Sequence, residues 1–129
     1  MGANTIVVAD ADHAAAKSME SLLGNEGYRV VVARTGDEAL VRAQETRADL
    51  VILEILLPEK NGYQVCRTLK AGTATQTIPI LFVSAKAQPS DRFWAKRVGG
   101  DGFVAKPFDP AGRLREIAGL LQQAEAARS

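Results

Sequence analysis

Residues 49–62 read Asp-Leu-Val-Ile-Leu-Glu-Ile-Leu-Leu-Pro-Glu-Lys-Asn-Gly, and this stretch decides the fold. The apolar run from Val51 to Leu53 is too short for a typical helix, and Pro58 and the Asn-Gly pair close the segment soon afterwards. This pattern predicts a strand that is buried on both faces of a parallel sheet. A carboxylate directly after such a strand lies at the carboxyl edge of the sheet, where open α/β sheets bind their ligands. Glu54 is therefore the first candidate for a functional residue.

The composition limits the kind of protein. A chain of 129 residues suits one domain with a hydrophobic core of its own. Its net charge of +1 gives no reason to expect nucleic acid or a membrane surface as a partner. A single cysteine excludes an internal disulfide and fits a reducing compartment. No apolar run approaches the roughly 20 residues of a membrane-spanning helix, so we expect a cytoplasmic protein.

The same reasoning predicts further strands at residues 5–9, 29–33, 80–83 and 103–105. Helical segments alternate with the strands. The fourth is predicted to start at a Ser90 cap, and the fifth at Asp109 with Pro110 in its first position. This alternation predicts an α/β fold, a five-stranded parallel sheet of flavodoxin-like order 2-1-3-4-5 between two layers of helices. We expect this domain to span residues 1–121 and a polar tail or linker to follow at 122–129.

Polar side chains follow several of the predicted strands at the point where each strand ends. Asp10, Glu54, Ser84 and Lys106 come directly after four different strands. Parallel strands present their carboxyl ends at one edge of the sheet, so we expect these side chains to converge, with Asp10 beside Glu54. We further expect Glu54 to pair with Lys106. If both groups are partly exposed, such a pair is worth about 0–1 kcal/mol.

Together these residues resemble the receiver domain of two-component response regulators. The motifs that carry the likeness are Val-Ile-Leu-Glu-Ile-Leu-Leu-Pro at 51–58, Pro-Ile-Leu-Phe-Val-Ser-Ala at 79–85 and Gly-Phe-Val-Ala-Lys-Pro-Phe at 102–108. In that family a pair of acids and a phosphoacceptor Asp bind Mg²⁺, and the Asp receives a phosphoryl group from a histidine kinase. The resemblance implies that Glu54 stands at the phosphoacceptor position. It also implies a switch and phosphate pocket made of Ser84, Ala85, Phe103 and Lys106.

Two departures from the family pattern fall on the chemistry itself. Asp10 is followed by Ala11, so one acid of the metal-binding pair is lost, and Glu54 replaces the phosphoacceptor Asp. Mg²⁺ requires near-octahedral oxygen ligands at about 2.0–2.1 Å, and Glu is longer than Asp by one C–C bond of about 1.5 Å. We therefore expect Mg²⁺ to bind weakly at best through Asp10, and we expect no other cofactor and no enzymatic activity.

These departures favour a degenerate receiver that acts as a phosphorylation-independent protein-interaction module. Its expected partners are a histidine kinase or an effector, with a possible homodimer through helix 4, strand 5 and helix 5, and neither nucleic acid nor membrane. One alternative is a receiver that is still phosphorylated or responds to Mg²⁺. A less favoured alternative is a flavodoxin-like binder of flavin or nucleotide, because no Gly-x-Gly-x-x-Gly or Walker sequence follows any predicted strand.

The fourth predicted helix carries two adjacent aromatic residues. Phe93 and Arg97 define one row of this helix and Trp94 and Val98 another, so both rings can hardly face the sheet. Two interpretations remain open at this stage: a wide buried stripe, or an exposed apolar anchor of the kind that marks interfaces. We take Trp94 and Val98 as candidate interface residues, on the same face as Phe103.

Overall fold

A five-stranded sheet with the strand order β2-β1-β3-β4-β5 forms the centre of the computed structural model, which describes residues 4–128. All neighbouring strands pair in parallel. The predicted α/β fold and strand order are therefore confirmed. The elements are β1 (Thr5–Ala9), α1 (His13–Asn25), β2 (Arg29–Ala33), α2 (Gly36–Thr46), β3 (Leu50–Leu53), α3 (Gly62–Ala71), β4 (Ile80–Ser84), α4 (Pro89–Arg97), β5 (Gly102–Ala105) and α5 (Pro110–Arg128).

The core lies on both faces of the sheet. Successive side chains of a strand point to opposite faces, and in β3 Val51 and Leu53 pack under α2 and α3 while Leu50 and Ile52 pack under α1 and α5. Burying one such side chain contributes about 1.5–3 kcal/mol. This two-sided burial explains why β3 reads as a continuous apolar run, and it holds the strand end at Glu54 in a fixed place.

Polar caps set the starts of most helices. Side-chain oxygens that accept backbone N–H groups begin α1, α2, α3 and α5, from Asp12, Thr35, Asn61 and Asp109. The prediction of a Ser90 cap for α4 is wrong. Gln88 is the N-cap residue, and Pro89 stands at the first helical position because its fixed φ suits that place. Ser90 therefore lies inside the first turn.

The last helix is longer than predicted. α5 continues to Arg128, in place of the polar tail or linker expected from Gln122 onward. The reason is intrinsic helix propensity, because residues 122–127 are Gln, Gln, Ala, Glu, Ala and Ala, all favourable in helices. Most of these residues are exposed, as expected for a polar segment. Ser129 lies outside the described residues.

Two glycines bring the loop after β3 close to its neighbours. A Cβ atom on Gly62 would lie 2.5 Å from the carbonyl oxygen of Glu54, and one on Gly36 would overlap the carbonyl oxygen of Lys60. The amide of Gly62 donates to the carbonyl of Ile55 at 2.9 Å, and the amide of Gly36 donates to that of Pro58 at 3.0 Å. Glycine is needed at both places because the backbones approach too closely for a side chain. This contact fixes the backbone that carries Glu54.

No helix within residues 4–128 is long and apolar enough to cross a membrane.

Candidate functional site at the carboxyl edge of the sheet

The Glu54 carboxylate is buried, and both of its oxygens accept hydrogen bonds. Its exposed fraction is 5%. Oε1 accepts the amide of Ile55 at 2.7 Å and the hydroxyl of Ser84. Oε2 accepts the Lys106 ammonium at 2.9 Å and the amide of Ala85 at 3.4 Å. Glu54 is therefore not a solvated strand-end acid.

Lys106 lies between two carboxylates. Its Nζ donates to Oδ2 of Asp10 at 2.6 Å and to Oε2 of Glu54 at 2.9 Å. Oδ1 of Asp10 accepts the amide of Asp12 at 2.9 Å. The predicted convergence of the strand-end residues and the predicted approach of Glu54 to Lys106 are confirmed. We call Asp10, Glu54 and Lys106 the ion cluster.

Hydrogen bonds and charge keep Glu54 and Lys106 ionised. Burial alone raises the pKa of the Glu54 carboxyl, but the hydrogen bonds from Ser84 and Lys106 and the Lys106 charge outweigh burial, so the pKa lies below its ordinary value. Burial alone lowers the pKa of Lys106, but its hydrogen bonds to Asp10 and Glu54 and their charges outweigh burial and raise it. Glu54 and Lys106 are both charged near neutral pH.

The Glu54–Lys106 pair is more deeply buried than a partly exposed surface pair. The side chain of Glu54 is 6% exposed and that of Lys106 is 21% exposed. Removing one partner of a buried pair leaves an uncompensated charge and costs about 3–5 kcal/mol, well above the roughly 0–1 kcal/mol of an exposed pair. The second carboxylate of the cluster, Asp10, reduces that cost because Lys106 keeps one partner.

An arginine lies beside Ala11, the position at which the resemblance implies the second acid. Nη2 of Arg34 donates to the carbonyl oxygen of Ala11 at 2.9 Å, and its Nη1 lies 3.4 Å from Nδ1 of His13. Arg34 was not among the predicted site residues. It follows β2 directly, and β2 neighbours β1, so its place at a strand end was a signal that could have found it.

The other acid near this edge, Asp12, serves the helix rather than the cluster. Oδ1 of Asp12 accepts the amide of Ala14 at 3.0 Å at the start of α1. Within residues 4–128 no group of three or more His, Cys, Asp or Glu side chains is placed to hold a metal ion. The two carboxylates that do converge, Asp10 and Glu54, share the Lys106 ammonium.

Ser84 connects the cluster to the loop before α4. Its hydroxyl donates to Oε1 of Glu54 and accepts the amide of Lys86 at 3.0 Å. The Lys86 ammonium in turn pairs with Oδ1 of Asp91 on α4. A continuous path of polar contacts thus runs from Glu54 to α4.

Asp91 is a buried acid that was not predicted from the sequence. It is 2% exposed, and besides Lys86 it accepts the amide of Gln88 at 2.9 Å and the hydroxyl of Tyr63 at 3.0 Å. The hydrogen bond from Lys86, helped by those from Gln88 and Tyr63, holds the pKa of Asp91 below its ordinary value against the effect of burial. Two spacings in the sequence could have indicated that Asp91 faces inward: it stands three residues after Gln88, as in a capping box, and four residues before Ala95, on the same face of the helix.

Phe103 packs inward in part. Its ring is stacked on Phe82 at a centroid distance of 6.2 Å, and it joins the core on that side. The guanidinium of Arg92, on α4, lies 4.8 Å from the ring centroid. Phe103 is half-buried between the core and a cation.

The aromatic residues of α4 are exposed. Phe93 is 60% exposed and Trp94 is 49% exposed, so the hypothesis of a wide buried stripe is wrong. The inner face of α4 is made by Asp91 and Ala95 instead. The role of Trp94 in an interface stays a prediction.

Two other parts of the interface prediction need correction. Val98 is half-buried and packs against the core, so it is not an exposed anchor. Phe103 contacts Arg92, which is two helical positions from Trp94 and so about 200° away around α4. Trp94 and Phe103 therefore do not share one face as predicted.

Comparison with known proteins identifies the family to which this architecture belongs. The family described as "Response regulator receiver domain" matches residues 6–118. This chain belongs to that family. Receiver domains act in two-component signalling, where they interact with histidine kinases and effectors.

The similar proteins include short and long chains. Protein PilH of Pseudomonas aeruginosa is 29% identical over 116 residues, which cover 90% of this chain and 96% of PilH. The DNA-binding response regulator MtrA of Mycolicibacterium smegmatis is 34% identical over 120 residues, which cover 93% of this chain and 51% of MtrA. This chain thus spans about half the length of several of the relatives that it matches.

A solved structure supports the fold. The CheY-like receiver domain protein from Methanospirillum hungatei has a TM-score of 0.91 and 24% identity, covering 98% of this chain and 99% of the other.

Proposed function

We propose that this receiver domain is degenerate and works as a phosphorylation-independent protein-interaction module, with the ion cluster in place of a metal- and phosphoryl-dependent switch. The observation that carries the proposal is the position of Lys106, whose ammonium contacts Asp10 at 2.6 Å and Glu54 at 2.9 Å. An internal cation already pairs with both of the carboxylates that a metal ion would need, and it cancels one of their two negative charges.

The residues present do not suit Mg²⁺. The ion needs near-octahedral oxygen ligands at about 2.0–2.1 Å, and Ala11 supplies no side-chain oxygen. The guanidinium of Arg34 adds a positive charge beside Ala11. A divalent cation would have to displace Lys106 from Asp10 and Glu54 and approach Arg34, which costs hydrogen bonds and adds repulsion.

The Glu54 carboxylate is also poorly placed as a phosphoryl acceptor. Its oxygens are held by Ser84, Ile55, Lys106 and Ala85. Phosphoryl transfer depends almost wholly on positioning and on electrostatic stabilisation of the moving group. An attack by Glu54 would require these bonds to break without a metal ion to compensate.

Glu54 instead resembles a permanent, partial substitute for a phosphorylated side chain. It engages Ser84, the amide of Ala85 and Lys106, which are the groups that the family resemblance assigns to the phosphate pocket. The substitution is partial because a phosphoryl group carries a charge of about −1.5 to −2 and three acceptor oxygens, whereas a carboxylate has one charge and two oxygens. The contacts support a domain fixed in one signalling state.

The proposed partner is a protein of the signalling pathway, a histidine kinase or an effector, and self-association through α4, β5 and α5 is part of the proposal. We propose no enzymatic activity, no cofactor, and a cytoplasmic location without contact to nucleic acid or membrane. A flavin or nucleotide is disfavoured by the residues that line the cavity of about 500 Å³ beside the ion cluster. Lys106 is the one cationic side chain among the described lining residues, and it is already paired with two carboxylates, so a phosphate group would meet no free cation there.

The test is incubation of the purified chain with acetyl phosphate and Mg²⁺ followed by intact mass measurement. We expect no stable mass increase of one phosphoryl group. An ordinary receiver domain treated in parallel serves as the positive control, and stoichiometric labelling of Glu54 would overturn the proposal.

A further inference from the structure

The cavity of about 500 Å³ beside the ion cluster lies on the side of the sheet that α1 and α5 cover. Its floor consists of buried apolar side chains from three strands and from α1, namely Val8, Ile52, Val83 and Met19. Binding sites for small molecules are mostly apolar clefts of about 300–1,000 Å³ that carry a few polar groups. The cavity has the size and the lining of such a site.

Small side chains leave this space open. Four of the lining residues are small: Ala9, Ala15, Ser18 and Ala85. Protein interiors are otherwise closely packed, so an apolar occupant would gain dispersion contacts that the lining atoms lack. Ser18, Ala85 and Pro107 are exposed, so the cavity opens to solvent between α1 and the loops after β4 and β5. A ligand can therefore enter without unfolding the domain.

The ion cluster forms the polar end of the cavity. Asp10 and Glu54 bring two carboxylates and Lys106 brings one ammonium, so the described lining residues carry one negative charge in excess. Charges in a partly buried site interact more strongly than charges in bulk water. This end of the cavity therefore favours a cation over an anion.

Asp10 has acceptor positions left for such a cation. A carboxylate offers about four lone-pair positions. Within residues 4–128, Oδ1 of Asp10 accepts the amide of Asp12 at 2.9 Å and Oδ2 accepts Lys106 at 2.6 Å. Each oxygen thus keeps a free acceptor position, although the residue is only 7% exposed. A buried acid with unused acceptors lines an apolar cavity.

We propose that this cavity binds a small organic amine with an apolar body. The ammonium donates to Asp10, and the apolar body packs on Met19, Ile52 and the half-buried ring of Phe108. Hydrogen bonds between an ammonium and a carboxylate are of the strong, charge-assisted kind. An engineered cavity of about 150 Å³ takes up benzene, so there is room here for a ring and a short chain. The inference goes beyond the proposed function, because a protein-interaction module needs no small ligand.

Other classes of small molecule fit this cavity less well. A purely apolar molecule would cover Asp10 and remove water from its free acceptors without replacing the hydrogen bonds, which is unfavourable. An apolar carboxylic acid would bring a second negative charge to a lining that already has one in excess. A short amine without an apolar body would leave the floor of the cavity unfilled. The combination of one ammonium and one apolar group satisfies both ends.

The experiment is a titration of the ¹⁵N-labelled wild-type chain near neutral pH, followed by the NMR shifts of its backbone amides. The probe is 2-phenylethylamine. We expect shifts confined to the cavity, at residues such as Ala15, Val83 and Phe108, and a higher melting temperature with the amine, because a ligand that binds only the folded state stabilises it. We expect 2-phenylethanol, 3-phenylpropionate and n-butylamine to bind at least about tenfold more weakly.

Two matched pairs of variants test the two ends of the cavity. Ala15→Leu fills the space and should weaken binding of the amine about tenfold or more. Ala14→Leu makes the same change at the neighbouring exposed position of α1, outside this cavity, and should not. Asp10→Asn should abolish the preference for the amine over the alcohol. Asp12→Asn removes an acid two residues away, where Asn also caps α1, and should keep the preference.

Several results would overturn the proposal. They are no shift with the amine, shifts scattered over the surface, equal affinity for the amine and for any of the other probes, or an equal loss in a variant and its control. The comparison of probes on the wild-type chain decides by itself if a variant does not fold.

The outcome is separable from that of the proposed function. If acetyl phosphate labels Glu54 while the amine binds in the cavity, the phosphorylation-independent module is refuted and the amine site stands. If the chain is not labelled and the amine does not bind, the amine site is refuted alone.

Discussion

Nζ of Lys106 lies 2.9 Å from Oε2 of Glu54, and this contact lies at the carboxyl edge of the sheet. The carboxylate comes from the end of β3 and the ammonium from the end of β5, with β4 between them. The pair therefore joins two strands that do not touch each other. We expect the charge state of this edge to affect both the stability and the signalling state of the domain.

Replacing Glu54 with Gln is expected to destabilise the domain. Gln keeps the size but removes the charge that Lys106 faces, and Asp10 compensates in part, so the free energy of unfolding should fall by about 1–3 kcal/mol. Urea denaturation measures this. Glu20→Gln, at an exposed position of α1, is the control and should change little. Equal stability of Glu54→Gln and wild type would mean that the ion cluster does not stabilise the fold.

The stability of the wild-type chain should depend on pH through the same pair. The pKa of Glu54 is lowered in the folded state, so the unfolded chain binds more protons there and the stabilisation is lost as pH falls through the folded pKa. The pKa of Lys106 is raised, so its stabilisation is complete below the ordinary lysine pKa and is lost as pH rises through the folded value. Denaturant unfolding at a series of pH values tests both limbs. Glu54→Gln should flatten the acid limb, and an unchanged acid limb would contradict the assignment.

Restoring the family pattern should restore metal binding. The double variant Ala11→Asp with Glu54→Asp supplies a second acid beside Asp10 and shortens the phosphoacceptor side chain. We expect Mg²⁺ binding by calorimetry and labelling by acetyl phosphate in the double variant, and much weaker responses in either single variant. If the singles match the double, the two departures do not act together.

Trp94→Ala should leave the domain folded. About half of the Trp94 side chain is already in water, so the loss of stability should be about 1 kcal/mol or less. Phe82→Ala, at a fully buried aromatic, is the comparison and should cost about 3–5 kcal/mol. Sedimentation should show weaker self-association for Trp94→Ala. A collapse in its melting temperature would instead place Trp94 in the core.

Asp91→Asn should loosen α4 without unfolding the sheet. The change removes the charge that pairs with Lys86 and weakens the bonds from Gln88 and Tyr63. Hydrogen exchange measured by mass spectrometry should become faster in residues 85–98 and stay unchanged in β1 and β3. Ser90→Ala, at an exposed neighbouring position, is the control. Uniformly faster exchange would indicate global destabilisation instead.

The convergence of Glu54, Ser84 and Lys106 could be predicted from the sequence because strand ends have a fixed geometry. Apolar runs identify parallel strands, the alternation with helices orders them, and one edge then collects the residues that follow. Arg34 obeys the same geometry at the end of β2 and was open to prediction in the same way. Positions that are set by backbone topology can thus be predicted from the sequence.

Side chains on helices were harder to place. Asp91 faces inward because Lys86, Gln88 and Tyr63 supply partners for it, and those partners come from other parts of the fold. Val98 turns toward the core at the C-terminal end of α4, where helix periodicity alone left its direction open. The surroundings of Glu54 depend in the same way on residues from other parts of the fold, because its partners Ser84, Ala85 and Lys106 follow β4 and β5 or end them.

The negative charge of Glu54 is part of the encoded side chain, so it does not decay with time as an added phosphoryl group does. An acyl phosphate hydrolyses, so an ordinary receiver returns to rest on its own, whereas a glutamate side chain persists as long as the molecule does. A domain held in one state by Glu54 does not change its state after a stimulus. The strength of its signal would be set by how much of the protein the cell makes and degrades, and control would pass from a kinase to gene expression and proteolysis.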